Sequence, residues 1–277
     1  MKSWKKQVTI CSVLSVLLLL LSAPLASRGQ DLSQVTPPAT VFSDEISIKQ
    51  KEMLDTNVKV GTYSGSGSGT IIDCIESEED GLFEIRVLTN AHVTRGRLTN
   101  QIVRVDAITG RFTQQIRDTG CRITVFNHTD ETSKVHTSKV VREDVLLDLA
   151  ILSFLSEEKL TIARIASNEL LSSVRVFSEV FAIGCQPRRA PMPTFGIISR
   201  VMTYKNEDNE AITYMHTAQL VGGSSGGGLF MEHDGHYYLI GIPFQVHNDG
   251  HQIFPHLGES IAISVARTLI NESNVSE

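Results

Sequence analysis

Three short blocks of the chain carry residue types that together could perform acyl transfer. The first is Gly222-Gly223-Ser224-Ser225-Gly226-Gly227-Gly228. A serine that attacks an acyl carbon must sit on a tight turn. Glycine permits the backbone angles such a turn needs and leaves backbone N–H groups free to bind the developing oxyanion. Taken alone, a glycine-serine run also fits an ordinary loop. The second block is Thr89-Asn90-Ala91-His92-Val93, where the apolar residues Val87 and Leu88 run into a histidine. The third is Asp148-Leu149-Ala150-Ile151-Leu152, where an acid opens an apolar segment. A nucleophile, a base and an acid to orient the base are therefore present, in the chain order His, Asp, Ser. Ser224 and Ser225 both satisfy Gly-x-Ser-x-Gly, and Asp144 is a rival to Asp148 as the acid.

The elements that must position these groups read as strands. Short apolar-polar segments broken by Gly, Asn and Asp occupy 58–63, 69–75, 83–88, 102–107, 121–126 and 149–154. A second series occupies 174–183, 196–202, 212–217, 228–231, 237–246 and 260–263. Many short strands at this spacing indicate an all-β protein. Two series indicate two lobes, divided near Ser156 to Ser173. One helix is expected, at the C-terminal end, with Ser264 as its N-cap and Val265, Thr268 and Leu269 on one face.

With the blocks placed on strands, the chain resembles the trypsin-like serine proteases, and the HtrA/Deg group above all. Supporting pieces stand in the same order: Gly65-Ser66-Gly67-Ser68-Gly69, Ala182-Ile183-Gly184 and Phe195-Gly196-Ile197-Ile198-Ser199. The resemblance covers about Thr56 to Asn271. It implies two six-stranded antiparallel β-barrels of the chymotrypsin type with a C-terminal helix, barrel 1 over about 55–160 and barrel 2 over about 161–277. The implied activity is that of a serine endopeptidase, with His92, Asp148 and Ser225 catalytic and the N–H groups of Gly223 and Ser225 forming the oxyanion hole. Ser225 is preferred to Ser224 because it alone is followed directly by Gly-Gly. By the same resemblance Gln219, Leu220, Ile242 and Phe244 wall the substrate pocket; none is charged, which favours small or medium apolar residues before the scissile bond. Two departures stand out: Ser224 replaces the Asn common before the nucleophile, and Gly228 the Pro common after the paired glycines. The 52 residues after Ser225 are needed to complete barrel 2, so no PDZ domain is expected. The long interval between His92 and Asp148 holds polar sequence from Asp106 to Lys139, read as an extended hairpin. The alternative from another class is an inactive homologue that keeps the barrels as a binding or adaptor module.

The surrounding sequence bounds the setting. Lys2, Lys5 and Lys6 precede an uncharged, Val- and Leu-rich segment that ends in Ala23, Pro24 and Ala26. This reads as a signal peptide over 1–29, with an uncleaved membrane anchor as the other reading, and places the body outside the cytoplasm, periplasmic or secreted. A leader or linker is expected over 30–54, and a single protease domain over 55–277. The net charge is -6, with no basic run beyond the first residues, which argues against a nucleic-acid partner. Cleavage would remove Lys2, Lys5, Lys6 and Arg28 and leave the mature chain more acidic still. The expected partner is a peptide or an unfolded protein. No cofactor is called for, and the spacing of His233, His236, His247, His251 and His256 fits no zinc pattern, so no metal site is expected. Outside the leader the cysteines are Cys74, Cys121 and Cys185; if two pair, Cys74 with Cys121 is favoured because both fall in barrel 1.

Overall fold

The computed structural model describes residues 41–63, 65–78, 81–96, 99–105, 112–118, 120–186, 189–205 and 210–273. The signal-peptide reading, and residues 30–40 of the leader, lie outside them. Among the described residues no helix is long and apolar enough to cross a membrane.

The first lobe is a closed barrel. Its strands are β1 (Asn57–Gly61), β2 (Ser66–Glu76), β3 (Phe83–Thr89), β6 (Cys121–Asn127), β7 (Thr132–Asp144) and β8 (Leu149–Ser156), joined in the order β1-β2-β3-β8-β7-β6. All its pairings are antiparallel, and β1 closes the ring by pairing with both β2 and β6. The insertion between His92 and Asp148 adds an antiparallel ribbon, β4 (Thr99–Val105) with β5 (Phe112–Asp118). Branched aliphatic residues, most of them β-branched, fill the barrel: Val58, Val60, Ile71, Ile85, Val87, Ile123 and Leu152 are fully buried within it.

The second lobe contains β9 (Arg164–Ile165), β10 (Glu179–Cys185), β11 (Pro191–Lys205), β12 (Glu210–His216), β13 (Gly228–His233), β14 (His236–Asn248) and β15 (Ile253–Ala262). Six of these strands form a ring in the order β13-β10-β11-β12-β15-β14, because β13 also pairs with β14, and β9 adds to the outer side of β14 in parallel. The expected pair of barrels is therefore present, with β9 as an extra strand.

Strand alternation docks the two lobes. On β3, Val87 points into barrel 1 while its neighbour Leu88 joins Phe230, Leu239 and Ile242 in the cluster of the second lobe; on β8, Leu152 and Ile151 divide in the same way. Helix α3 (Ile263–Ser273) packs against β8 as well as β14. It begins one residue before Ser264, which therefore lies inside its first turn and is not the N-cap. Its buried stripe is Ile263, Ala266 and Leu269, while Thr268 is exposed. This phase differs by one residue from the expected face, because Ile263 continues the apolar end of β15 directly into the helix.

Residues 41–54, read as linker from sequence, are helical: α1 (Val41–Lys49) continues through a wider turn over Gln50–Leu54. Two contacts tie this segment down. Met53 is buried in the core, and Glu52 accepts hydrogen bonds from the Tyr237 backbone N–H at 2.9 Å and Arg164 Nε at 2.9 Å, with His236 Nδ1 at 2.8 Å. Burial alone would raise the Glu52 carboxyl. Its three partners outweigh that and hold it below the usual carboxylate range.

Candidate active site

The three blocks meet where the barrels touch. His92 lies on the short helix α2 (Ala91–Thr94), which begins directly after β3. Asp148 immediately precedes β8, which pairs with β3, so Thr89 stands opposite Ala150. This register carries the Asp148 carboxylate to His92: Oδ2 lies 2.7 Å from Nδ1, and Oδ1 accepts the His92 backbone N–H at 2.8 Å. Two contacts from one carboxylate fix both the position and the rotation of the imidazole. Asp148 reaches this pose with φ +55°, a region costly for a residue with a side chain. The buried Asn90 compensates by donating from Nδ2 to the Asp148 carbonyl at 3.0 Å. Asp144 serves elsewhere, accepting the backbone N–H groups of Leu146 and Leu147 at 2.9 Å each.

Ser225 belongs to the turn before β13. That turn is lodged between lobes so closely that side chains are excluded on three sides. A Cβ on Gly226 would lie 2.2 Å from both the Ser68 carbonyl and Thr89 Oγ1; one on Gly227 would lie 2.0 Å from the Ile183 carbonyl; and one on Gly184 would lie 2.8 Å from Ser224 Cα. Gly67 occupies the remaining gap, with Val93 on one flank and the Ser225 carbonyl on the other. Ser225 and His92, 133 positions apart in sequence, are thereby brought to the same junction. The Ser225 hydroxyl itself donates to the Phe244 carbonyl at 3.4 Å, a long contact for two oxygens. Ser224 is buried, and its hydroxyl oxygen faces the Val221 N–H at 3.3 Å.

Backbone accounting shows which groups of the turn are engaged. In this turn Ser224 N–H donates to Val221, Gly226 N–H to Pro243 and Gly227 N–H to Ser224. Among the described residues, no protein acceptor takes the N–H of Gly223 or of Ser225. Gly223 has φ +93°, open to glycine and strained for other residues.

The expected pocket residues divide. Gln219 is exposed and Phe244 half-buried, while Leu220 is buried in the core of the second lobe, its side chain resting on the Gly258 backbone. Ile242 does not line a pocket: it is wholly within the core of the second lobe, because alternation along β14 turns it inward. Beside the pocket segment, His216 is fully buried between Ser260 Oγ at 2.9 Å and the Ala218 carbonyl at 3.2 Å, and burial pushes its ring down to about 4. The remaining histidines are dispersed: His236 is held by Glu52, and His247 lies 3.2 Å from Glu259. Among the described residues no three His, Cys, Asp or Glu side chains gather as a metal would require.

The expected Cys74–Cys121 pairing is not made; Cys74, Cys121 and Cys185 are thiols. Strand register is the reason. Arg122 on β6 stands opposite Gly61 on β1, and Gly61 opposite Ser66 on β2, so Cys121 is level with the end of β2 remote from Cys74, with β1 between them. A disulfide needs the two Cα atoms within about 7 Å. Cys185 is buried at the end of β10, and burial pushes its thiol up to about 12.

Two antiparallel barrels with a glycine-bound serine turn and a His-Asp pair at their junction constitute the chymotrypsin-like architecture. Comparison with known proteins gives the family. A model described as "Trypsin-like peptidase domain" matches residues 67–242, well over half of the chain, and the protein belongs to that family. No curated protein matches it. Among solved structures, an HtrA-type protease with a tripeptide is similar with a TM-score of 0.56 at 19% identity, over 82% of this chain and 62% of that one. A serine endoprotease from Yersinia pestis is similar with a TM-score of 0.54 at 20% identity, over 82% of this chain and 65% of that one. The chain thus spans somewhat under two thirds of the length of either structure, and the likeness is one of fold.

Proposed function

We propose that the protein is an exported serine endopeptidase. Ser225 attacks the scissile carbonyl; His92 takes the hydroxyl proton and returns it to the leaving amine; Asp148 fixes the imidazole tautomer and stabilises its charged form. The N–H groups of Gly223 and Ser225 receive the oxyanion. The observation that carries this reading is the two-point grip of Asp148 on His92, at 2.7 and 2.8 Å. A structural histidine has no need of it. Among the described residues no hydrogen bond joins the Ser225 hydroxyl to His92; in a free enzyme the nucleophile-base bond is often loose and tightens on binding substrate, so this is compatible with turnover. Substrates are peptides or unfolded proteins, cleaved after small or medium apolar residues. Support for that preference comes from the segments 217–221 and 241–246, which contain no acid. Export rests on the charged and apolar pattern of residues 1–29 alone.

The test is reaction of the full chain with a fluorophosphonate, together with hydrolysis of a peptide library. Labelling and turnover should both be lost in Ser225→Ala and kept in Ser224→Ala, and the library should show little cleavage after Lys or Arg. One observation favours the other reading, a binding module without turnover: the Ser225 hydroxyl is engaged by Phe244. Failure of the wild-type chain to react with the fluorophosphonate would establish it.

A further inference from the structure

The nucleophile turn is held by barrel 1 through one residue, Ser68 on β2, which is fully buried and makes four hydrogen bonds. Its backbone N–H donates to the Ser225 carbonyl at 2.8 Å, and its own carbonyl accepts Thr89 Oγ1 at 2.7 Å, three positions before His92. Its hydroxyl oxygen accepts the Cys185 N–H at 2.6 Å and donates its proton to the Gly223 carbonyl at 2.6 Å. The backbone bonds would survive almost any substitution. Those of the hydroxyl would not.

The accounting of the turn shows what the hydroxyl achieves. Carbonyls 223, 224 and 225 are taken by Ser68 Oγ, Gly227 N–H and Ser68 N–H respectively. The N–H groups of 224, 226 and 227 are taken as well. From residue 223 to residue 225, the three carbonyls and the Ser224 N–H are engaged, and the N–H groups of Gly223 and Ser225 are left open among the described residues. Gly223, lacking Cβ, rotates easily unless held, and among the described residues the Ser68 hydroxyl is the one side chain that hydrogen-bonds its carbonyl.

Resting on the reading of Ser225 as nucleophile, we propose that Ser68 is a positioning residue for the oxyanion-binding turn: through its hydroxyl, β10 and β2 jointly clamp the Gly223 peptide so that the two unengaged N–H groups stay poised for the oxyanion. Preorganisation of this kind acts on the transition state more than on bound substrate. Removing the hydroxyl strands the Gly223 carbonyl and the Cys185 N–H and lets the turn rearrange.

The experiment compares wild type, Ser68→Ala, Ser68→Thr and Ser225→Ala in the full chain, measuring kcat, KM, thermal midpoint and the affinity of a peptide boronic acid, whose tetrahedral adduct fills the oxyanion site. Ser68→Ala should lower kcat by about tenfold to hundredfold and weaken the boronic acid in parallel, with KM within about twofold. Ser68→Thr, which keeps the hydroxyl, should recover most of kcat. Wild-type kcat in a folded Ser68→Ala, or a loss confined to the thermal midpoint, would overturn the proposal. Should Ser68→Ala not fold, a folded Ser68→Thr as slow as a hundredth of wild type overturns it equally. Turnover persisting in Ser225→Ala would instead sink the underlying reading, whatever Ser68 does.

Discussion

At the scale of single residues, Asp148 shows how much depends on one carboxylate. Each of its oxygens has a separate task, one on the imidazole and one on the His92 backbone. Asp148→Asn keeps an acceptor and the shape but presents the wrong partner to Nδ1. In an analogous triad that change lowers kcat by about 10⁴-fold with the geometry intact, and a loss of similar order is expected here. Asp144→Asn touches only the caps of Leu146 and Leu147 and should leave turnover within about twofold. A peptidase assay on the two variants decides which acid matters. The thiols give a second expectation. Cys74 is partly exposed while Cys121 and Cys185 are buried, so a thiol reagent should modify one cysteine of the mature folded chain and three after denaturation. Detection of a Cys74–Cys121 bridge by mass spectrometry would contradict the register of β1, β2 and β6. His92, Asp148 and Ser225, the triad of the proposed function, stand out in the sequence because each lies in a block whose neighbours announce it. Ser68 and Asn90 do not, since their significance lies in bonds to carbonyls 155 and 58 positions away, which no local pattern reveals.

Among the elements, those with one buried face could be read from alternation, and those without could not. β8 is nearly all buried and was found. β7, Thr132–Asp144, was missed because nearly every side chain along it is exposed or half-buried, and its Thr, Ser and Lys residues mimic a loop. The helical segment 41–54 was missed because tertiary anchors at Glu52 and Met53, and no strong apolar stripe, hold it in place. β12 carries a consequence for acid stability. The ring of His216, at its end, is driven down to about 4 by burial, whereas in the unfolded chain it takes up a proton near pH 6.5. Between these values the unfolded state binds more protons. The stabilising contribution is therefore complete above about pH 6.5 and is lost as pH falls toward 4, by about 3 kcal/mol as an order of magnitude. Urea unfolding at pH 7.5 and pH 4.5 measures it. His216→Gln, though less stable overall, should show a shallower pH dependence, and an unchanged dependence would place the effect elsewhere.

For the whole molecule, the order in which parts appear along the chain governs when chemistry becomes possible. His92 and Asp148 are complete within barrel 1, but the turn of Ser225 is finished from downstream: Gly226 N–H is received by Pro243, the Ser225 hydroxyl by Phe244, and the second ring is closed only when β14 and β15 pair. A ribosome that has just released residue 225 has therefore made all three reactive groups and no enzyme. Synthesis of roughly the next forty residues, through β15, must come first. A chain ending at residue 235 should accordingly be inert toward fluorophosphonate, and supplying 236–277 as a separate fragment should restore labelling if the fragments associate. Labelling of the shorter chain alone would show that the turn forms without its closing strands. On the proposed reading, a growing chain would thus stay harmless to its own unfolded length until no unfolded length of the barrels remains.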